Sequence, residues 1–235
     1  MAFRKAQRTN AKLRLALTGT AGAGKTYSAL LIAKGLGGKI AMIDTENGSG
    51  DLYSDLCDYD IAQLKGDFHP KNYATLIYEA QDAGYDTIII DSISPEWSGT
   101  GGILDLHSNL TKSKYRGNGF NAWNDVTPLH NRFIQILLES PCHIIATIRS
   151  KTEYVQSSDQ GRTTIQKAGL APIQRDGVDY EFGTVFDLSP EHLAVVSKDR
   201  TQLFGGTPFV IDVHTGERLR DWLNAGADTT KGGEA

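Results

Sequence analysis

Leu13, Leu15 and Leu17 alternate with Arg14, Ala16 and Thr18, which is the period of a strand. After a glycine-rich turn, Tyr27 to Lys34 is predicted as a helix, stopped by Gly35 and Gly37-Gly38. A second strand runs from Lys39 to Asp44 and leads into Thr45, Glu46, Asn47 and Gly48. Residues 49–57 look helical, and Ile61 to Leu64 suits a short edge strand. Pro70 opens a helix through Tyr73, Leu76, Ile77 and Ala80, ended by Gly84. Tyr85 to Ser92 is a third strand, and its unbroken Ile88-Ile89-Ile90 run predicts cover on both faces.

The second half is more polar. Residues 93–125 read as a long connection, and Pro128 to Glu139 as an amphipathic helix with Leu129, Phe133, Ile136 and Leu137 on one face. His143 to Ile148 is a fourth strand. Thr152–Gln156 and Thr163–Lys167 read as a polar hairpin around Ser158 to Gly161. Thr184–Leu188, Leu193–Ser197 and Phe209–Val213 are further strands, and a short helix reaches Leu223. Strands alternating with helices predict an α/β domain over residues 13–224, with a mostly parallel sheet flanked by helices. Residues 1–12 form a basic arm and residues 225–235 a polar tail expected to be disordered.

The turn after the first strand carries chemistry. Gly19, Gly24, Lys25 and Thr26 fill the spacing G-x-x-x-x-G-K-[ST] between a strand and a helix. A polyphosphate is a dense anion, bound by convergent backbone N–H groups and a helix N-terminus. The loop Gly19, Thr20, Ala21, Gly22, Ala23, Gly24, Lys25, Thr26 and Tyr27 is therefore the expected nucleotide cradle. Lys25 would reach the β- and γ-phosphates, and Thr26 would ligate Mg²⁺. Asp91, at the tip of the apolar third strand, is the expected second magnesium group. Ser92 stands where many such enzymes place a glutamate, so Glu46, past the second strand, is the candidate to orient the attacking water. In a parallel sheet these strand ends share one edge.

Composition narrows the class. The 235 residues are 40% hydrophobic with a formal charge of −4, so the chain has a proper core and no global basic field. Any nucleic-acid contact must come from local patches. Lys112, Lys114, Tyr115, Arg116, Phe120 and Trp123 interleave cations and aromatics, as base stacking with phosphate pairing requires; an ordinary surface loop has the same composition. Arg149, Lys151, Arg162 and Lys167 give the hairpin a basic bias. Cys57 and Cys142 are too few for a disulfide framework, which points to a reduced, cytoplasmic setting. Nothing in the sequence suggests a signal peptide or a membrane span, and the histidines show no metal spacing with the cysteines. The basic arm reads either as a solvated tail or as a docking segment around Phe3 and Ala6.

The order of these parts resembles the RecA-like ATPase core over roughly residues 12–213. Ile43-Asp-Thr-Glu46 is similar to the segment ending in that family's catalytic glutamate, and Ile88-Ile-Ile-Asp91-Ser to its Walker B strand. Ile144 to Arg149 resembles the strand leading to a nucleotide sensor, with Thr147 where a glutamine is usual. Lys198-Asp-Arg200 resembles the element that reaches a neighbouring subunit's γ-phosphate. Phe3 to Ala6 resembles the Phe-x-x-Ala oligomerisation motif of archaeal and eukaryotic recombinases. In length, and in phrases such as Ser-Pro-Cys-His-Ile-Ile-Ala-Thr-Ile-Arg, the chain resembles core-only RecA-like ATPases of bacteriophages, whose members act as single-strand annealing recombination proteins.

The resemblance implies ATP and Mg²⁺, single-stranded DNA on the loops near 97–120 and 150–170, a filament or ring of identical subunits, and a single-strand binding protein as a further partner. Lys25, Glu46 and Asp91 would act in one subunit, with Lys198 and Arg200 completing a neighbour's site. Two other classes use the same phosphate loop. A small-molecule kinase would need a lid of arginines, for which Arg149, Arg162 and Arg175 are candidates. A non-catalytic annealing scaffold would use ATP only to stabilise an assembly.

Overall fold

A computed structural model describes residues 11–159 and 162–225, the side chains of 152–169 excepted. Residues 1–10 and 226–235, with the expected basic arm and polar tail, lie outside the described residues. Six strands form the parallel body of the sheet: β1 (Arg14–Gly19), β2 (Ile40–Asp44), β3 (Asp60–Gln63), β4 (Thr87–Asp91), β5 (His143–Asp159) and β7 (Thr184–Leu188). β6 (Arg162–Pro172) pairs antiparallel with the outer part of β5, and β8 (Leu193–Asp199) and β9 (Phe209–Val210) extend the sheet antiparallel beyond β7. The order is β3-β2-β4-β5-β1-β7-β8-β9, with β6 on β5. This is the α/β architecture expected from the alternation of strands and helices.

The alternation of side chains divides the core between the two faces of the sheet. Leu13, Leu15, Leu17 and Ile89 face α1 (Lys25–Leu36) and α7 (Val213–Asn224). Ala16, Ile88, Ile90 and Ile144 face α2 (Pro70–Asp82) and α5 (Gly119–Glu139). The Ile88-Ile89-Ile90 run is fully buried because neighbours alternate between these two cores.

Several boundaries differ from the sequence expectation, each for a local reason. Gly35 does not end α1. It lies where α1 crosses α7, and a Cβ there would sit 2.1 Å from the Val213 carbonyl oxygen and 2.8 Å from Gly216 Cα. Residues 93–125 are not a long loop but hold α3 (Ser94–Ser98), α4 (Ile103–Ser113) and the first turns of α5. α5 starts at Gly119, capped by the Asn118 side chain on the Asn121 N–H at 3.2 Å. Pro128 is therefore interior: it removes one helical hydrogen bond, tolerated because Ala122, Val126, Phe133 and Leu137 bury one face along the whole helix. Residues 49–57 form only a short 3₁₀ turn, Ser49–Tyr53, and the last strand shrinks to Phe209–Val210. The hairpin is longer than expected, because β5 runs on from the core sheet into it without a break.

A half-buried arginine ties the edge of the sheet where β1 begins. Arg14 donates to the carbonyls of Leu13, Leu138, Ser140 and Cys142, and burial brings its pKa down to about 10. Among the described residues, no helix is long and apolar enough to cross a membrane.

The close crossing of α1 and α7 generates a prediction. Gly35→Ala should push the two helices apart and cost about 1–3 kcal/mol, as overpacking of a tight core does. A lower urea midpoint with an unchanged slope is expected; an unchanged midpoint would contradict the backbone contact.

Candidate functional site

Parallel pairing puts the ends of β1, β2, β4 and β5 on one edge. Gly19 is in register with Arg149, and Asp44 with Asp91. The loop after β1 closes a cleft of about 830 Å³ at that edge, within the range of small-ligand sites. Gly22 and Gly24 adopt left-handed backbone (φ 79° and 85°), which turns the loop into a concave cradle ahead of the α1 N-terminus. The Lys25 ammonium folds over the loop and donates to the carbonyls of Gly19 and Thr20 at 3.0 and 2.8 Å. Burial pushes its pKa down, while Asp91 and Glu46 oppose that shift.

Asp91 is 2% exposed at the end of β4. It accepts hydrogen bonds from Thr26 at 2.5 Å and from Thr147, two residues of other elements. Burial raises its pKa, and the two hydroxyl donors pull it back. The peptide bond from Asp91 to Ser92 is cis. A hydroxyl beside a carboxylate is a hard oxygen pair that fits Mg²⁺ completed by phosphate oxygens and water. No cluster of three or more His, Cys, Asp or Glu suited to a metal occurs among the described residues, and magnesium held mainly by phosphate needs none.

Glu46 is placed by backbone chemistry. Asp44 ends β2 with its carboxylate buried, accepting from the Glu46 N–H at 2.5 Å and the Gly48 N–H at 2.6 Å. Thr45 stitches this turn to β4: its N–H donates to the Asp91 carbonyl at 2.7 Å, and its hydroxyl accepts from the Ser92 N–H at 2.7 Å. The Glu46 carboxylate then faces the cleft and accepts from the Ser92 hydroxyl at 3.1 Å. It also carries a bidentate ion pair from Arg149, with Nε to Oε1 at 2.7 Å.

Tyr27 and Tyr53, edge to face at 6.0 Å, line the cleft together with Val210 and Ile211. His192 closes it from the turn between β7 and β8. It adopts a left-handed backbone (φ 64°), and a Cβ on Gly24 would lie 3.1 Å from its Nδ1.

The sequence-predicted residues divide by position. Lys25, Thr26, Glu46 and Asp91 converge in the cleft. Lys198 and Arg200 do not join it: β8 runs antiparallel to β7, so they lie at the opposite edge, where the Lys198 ammonium donates to the Tyr180 carbonyl. Arg149, expected in a DNA-facing loop, points into the cleft. Lys114 is exposed and ion-paired with Asp125 at 2.7 Å, and Arg116 takes a left-handed turn after α4. Lys112 lies in the last turn of α4. Lys151 lines a second groove of about 710 Å³ with Trp97, Phe120, Trp123 and Arg175. The side chains of Arg162 and Lys167 are outside the description.

Some residues gave no sequence signal. Asp44 reads in the sequence only as a strand end, and Ser92 only as the residue standing where many such enzymes have a glutamate. His192 sits in no motif, and only the antiparallel return of β8 brings it to the loop. Glu96, fully buried, pairs with His130 Nδ1 at 3.1 Å and accepts from Gln174 at 3.2 Å, joining α3, α5 and the segment after β6. These partners are 34 and 78 residues from Glu96, beyond any local pattern.

A glycine cradle, a lysine, a hydroxyl–carboxylate pair and a second acid on one parallel sheet edge define a P-loop nucleoside triphosphatase. Residues 11–204 match the AAA domain family, and the chain belongs to it as a nucleotide-binding ATPase. β9 and α7 lie beyond the matched segment. No curated protein matches the chain.

The donors on Asp91 yield a pH prediction. Thr147→Val removes a hydrogen bond that favours the ionised carboxylate, so the Asp91 pKa should rise further. Magnesium-dependent nucleotide binding, followed by fluorescence across a pH series, should then fall away at a higher pH in the variant than in the wild type. Identical profiles would contradict a contact between Thr147 and a titrating Asp91.

Proposed function

We propose that the protein is an ATP hydrolase that binds single-stranded DNA and acts in recombination or strand annealing as a homo-oligomer. The observation that carries the catalytic part is the position of Glu46, an acid facing the same cleft as the phosphate loop, Lys25 and Asp91. An acid there accepts the proton of a water attacking the γ-phosphate. Lys25 and the loop N–H groups hold the phosphates, and Asp91 with Thr26 holds the magnesium. Bound there, Mg²⁺ supplies charge neutralisation on the phosphate oxygens. Lys198 and Arg200, on the far edge of the sheet from their own cleft, suit a role in a neighbouring subunit's site.

The DNA reading is supported by the second groove. Trp97 and Trp123 stack with centroids 6.0 Å apart, Phe120 is 82% exposed, and Lys151 and Arg175 contribute cations. An exposed Phe120 beside cations, with the half-buried Trp97 and Trp123 lining the same groove, supports the stacking and phosphate pairing of single-stranded nucleic acid. Lys112, Lys114, Arg116, Arg162 and Lys167 would add to this field, Lys114 less than the others because Asp125 neutralises it. The likeness to phage annealing proteins supports the same reading, with a single-strand binding protein as a partner. A kinase lid is less well supported: Arg149 is held by Glu46, and Arg175 donates to Asn131 at 3.0 Å.

Glu46→Gln tests the proposal. ATP binding should persist within a few-fold, while turnover should fall about 10²–10⁴-fold, the usual contribution of a general base. Undiminished turnover would exclude Glu46 as the base. Full DNA annealing by the inactive variant would favour the non-catalytic scaffold.

A further inference from the structure

Two grooves lie end to end along α5. Phe120, Trp123 and Thr127 of that helix line the aromatic groove. Asn131, Ile134, Gln135 and Leu138 line a further cavity of about 460 Å³. Residues three or four apart share a helix face, so these positions form one stripe. From Phe120 to Leu138 the stripe is about 27 Å long at 1.5 Å per residue. The facing wall is continuous as well. Residues 171–176 line the aromatic groove, and residues 175–178 line the further cavity with Glu181, the last residue of α6 (Val178–Glu181). Arg175 and Asp176 line both. This wall is pinned from behind, where the buried Gln174 donates to the Ile93 carbonyl at 3.1 Å and to Glu96 at 3.2 Å.

The two ends of the trough differ in chemistry. The first offers rings, which stack on any base. The further cavity has an apolar floor, where Ile134 and Val178 are buried, and a polar rim that includes Asn131, Asp176 and Glu181. Both rim carboxylates belong to exposed residues, and among the described residues neither has a hydrogen-bond or ion-pair partner. Such a rim repels a phosphate, yet it accepts a hydrogen bond from the amino group of a base. Cations flank the cavity: Arg175 donates to Asn131 at 3.0 Å, and the exposed Arg132 donates only to neutral groups, Gln135 at 3.3 Å and Tyr78 at 3.5 Å.

We propose that single-stranded DNA follows this face of α5 and that the further cavity is a base-reading subsite. It takes a base flat on the apolar floor, with the phosphates outside near Arg132 and Arg175. It prefers bases that carry an exocyclic amino group, adenine and cytosine over thymine, because Asp176 and Glu181 accept from that group. The inference rests on the DNA reading of the aromatic groove and adds to it a second subsite with a chemical preference.

The test is fluorescence anisotropy of labelled oligo-dC and oligo-dT of equal length, binding to the full chain with Mg²⁺ and a non-hydrolysable ATP analogue. The two bases differ at position 4, an amino group in cytosine and a carbonyl oxygen in thymine. Wild type should bind oligo-dC about tenfold more tightly, the equivalent of one charge-assisted hydrogen bond. In the Asp176→Asn, Glu181→Gln double variant that ratio should fall to near one, because an amide donates as readily as it accepts. Phe120→Ala should weaken both oligomers to the same degree and keep the ratio, because stacking tolerates every base.

Equal binding of the two oligomers by wild type would overturn the proposal. So would a ratio unchanged in the double variant while both affinities rise together, which would leave the carboxylates acting only as general repulsion. A ratio lost in Phe120→Ala would place the preference in the aromatic groove and overturn it too. Circular dichroism and retained oligo-dT binding report that the double variant is folded. Failure of the wild type to bind either oligomer at low salt would instead refute the DNA reading itself.

Discussion

A carboxylate taken almost entirely out of water must be met by donors or give up its charge. Asp91 sits in that position, and its donors come from two separate parts of the chain, Thr26 at the start of α1 and Thr147 near the end of the parallel part of β5. Only a sheet that sets β4 beside β5, and β5 beside β1, brings both hydroxyls to one acid. The core obeys the same constraint. Ile88, Ile89 and Ile90 hold β4 between two apolar layers, so that Asp91 emerges at the edge and nowhere else. Packing and chemistry thus depend on the same pairings.

Charge at that edge is balanced in pairs. Lys25 leans on its own loop carbonyls near Asp91, and Arg149 lies on Glu46. The backbone beneath these side chains is stiff: Asp44 caps the Glu46 turn, and Thr45 stitches it to Ser92. The side chains can thus respond to a polyphosphate while their positions along the edge stay fixed. Around the corner, Glu96, His130 and Gln174 join the helix after β4 to α5 and to the segment leaving β6. The phosphate edge and the aromatic groove therefore share α3 and the root of the hairpin as common supports.

The phosphate loop, the strands ending in Asp44 and Asp91, and the parallel α/β class were legible in the sequence because each is a local pattern: a glycine spacing, an apolar run, an alternation. The convergence of Glu46 with Asp91 followed from parallel topology alone. Other features were not local. Gly35 looks like a helix stop, but α1 runs to Leu36 and is capped by Gly37, and the Val213 carbonyl pressed against Gly35 explains why a glycine stands there. Pro128 looks like a helix start, and the capping Asn118 and the buried face of α5 outweigh it. Arg149 looks like part of a basic loop, because its partner Glu46 is 103 residues away. His192 was silent for the same reason, since a turn on an antiparallel strand carries no phosphate signature. What sequence patterns missed were contacts between distant segments, and those contacts set which way the charged side chains face.

The central claim is that hydrolysis at this edge is linked to single-stranded DNA, and the steady-state ATPase rate with and without that DNA, at low and moderate salt, tests it most directly. The account predicts a large stimulation that weakens as salt rises, because phosphate contacts release counterions. Folded protein that binds ATP and shows no stimulation at either salt would contradict it.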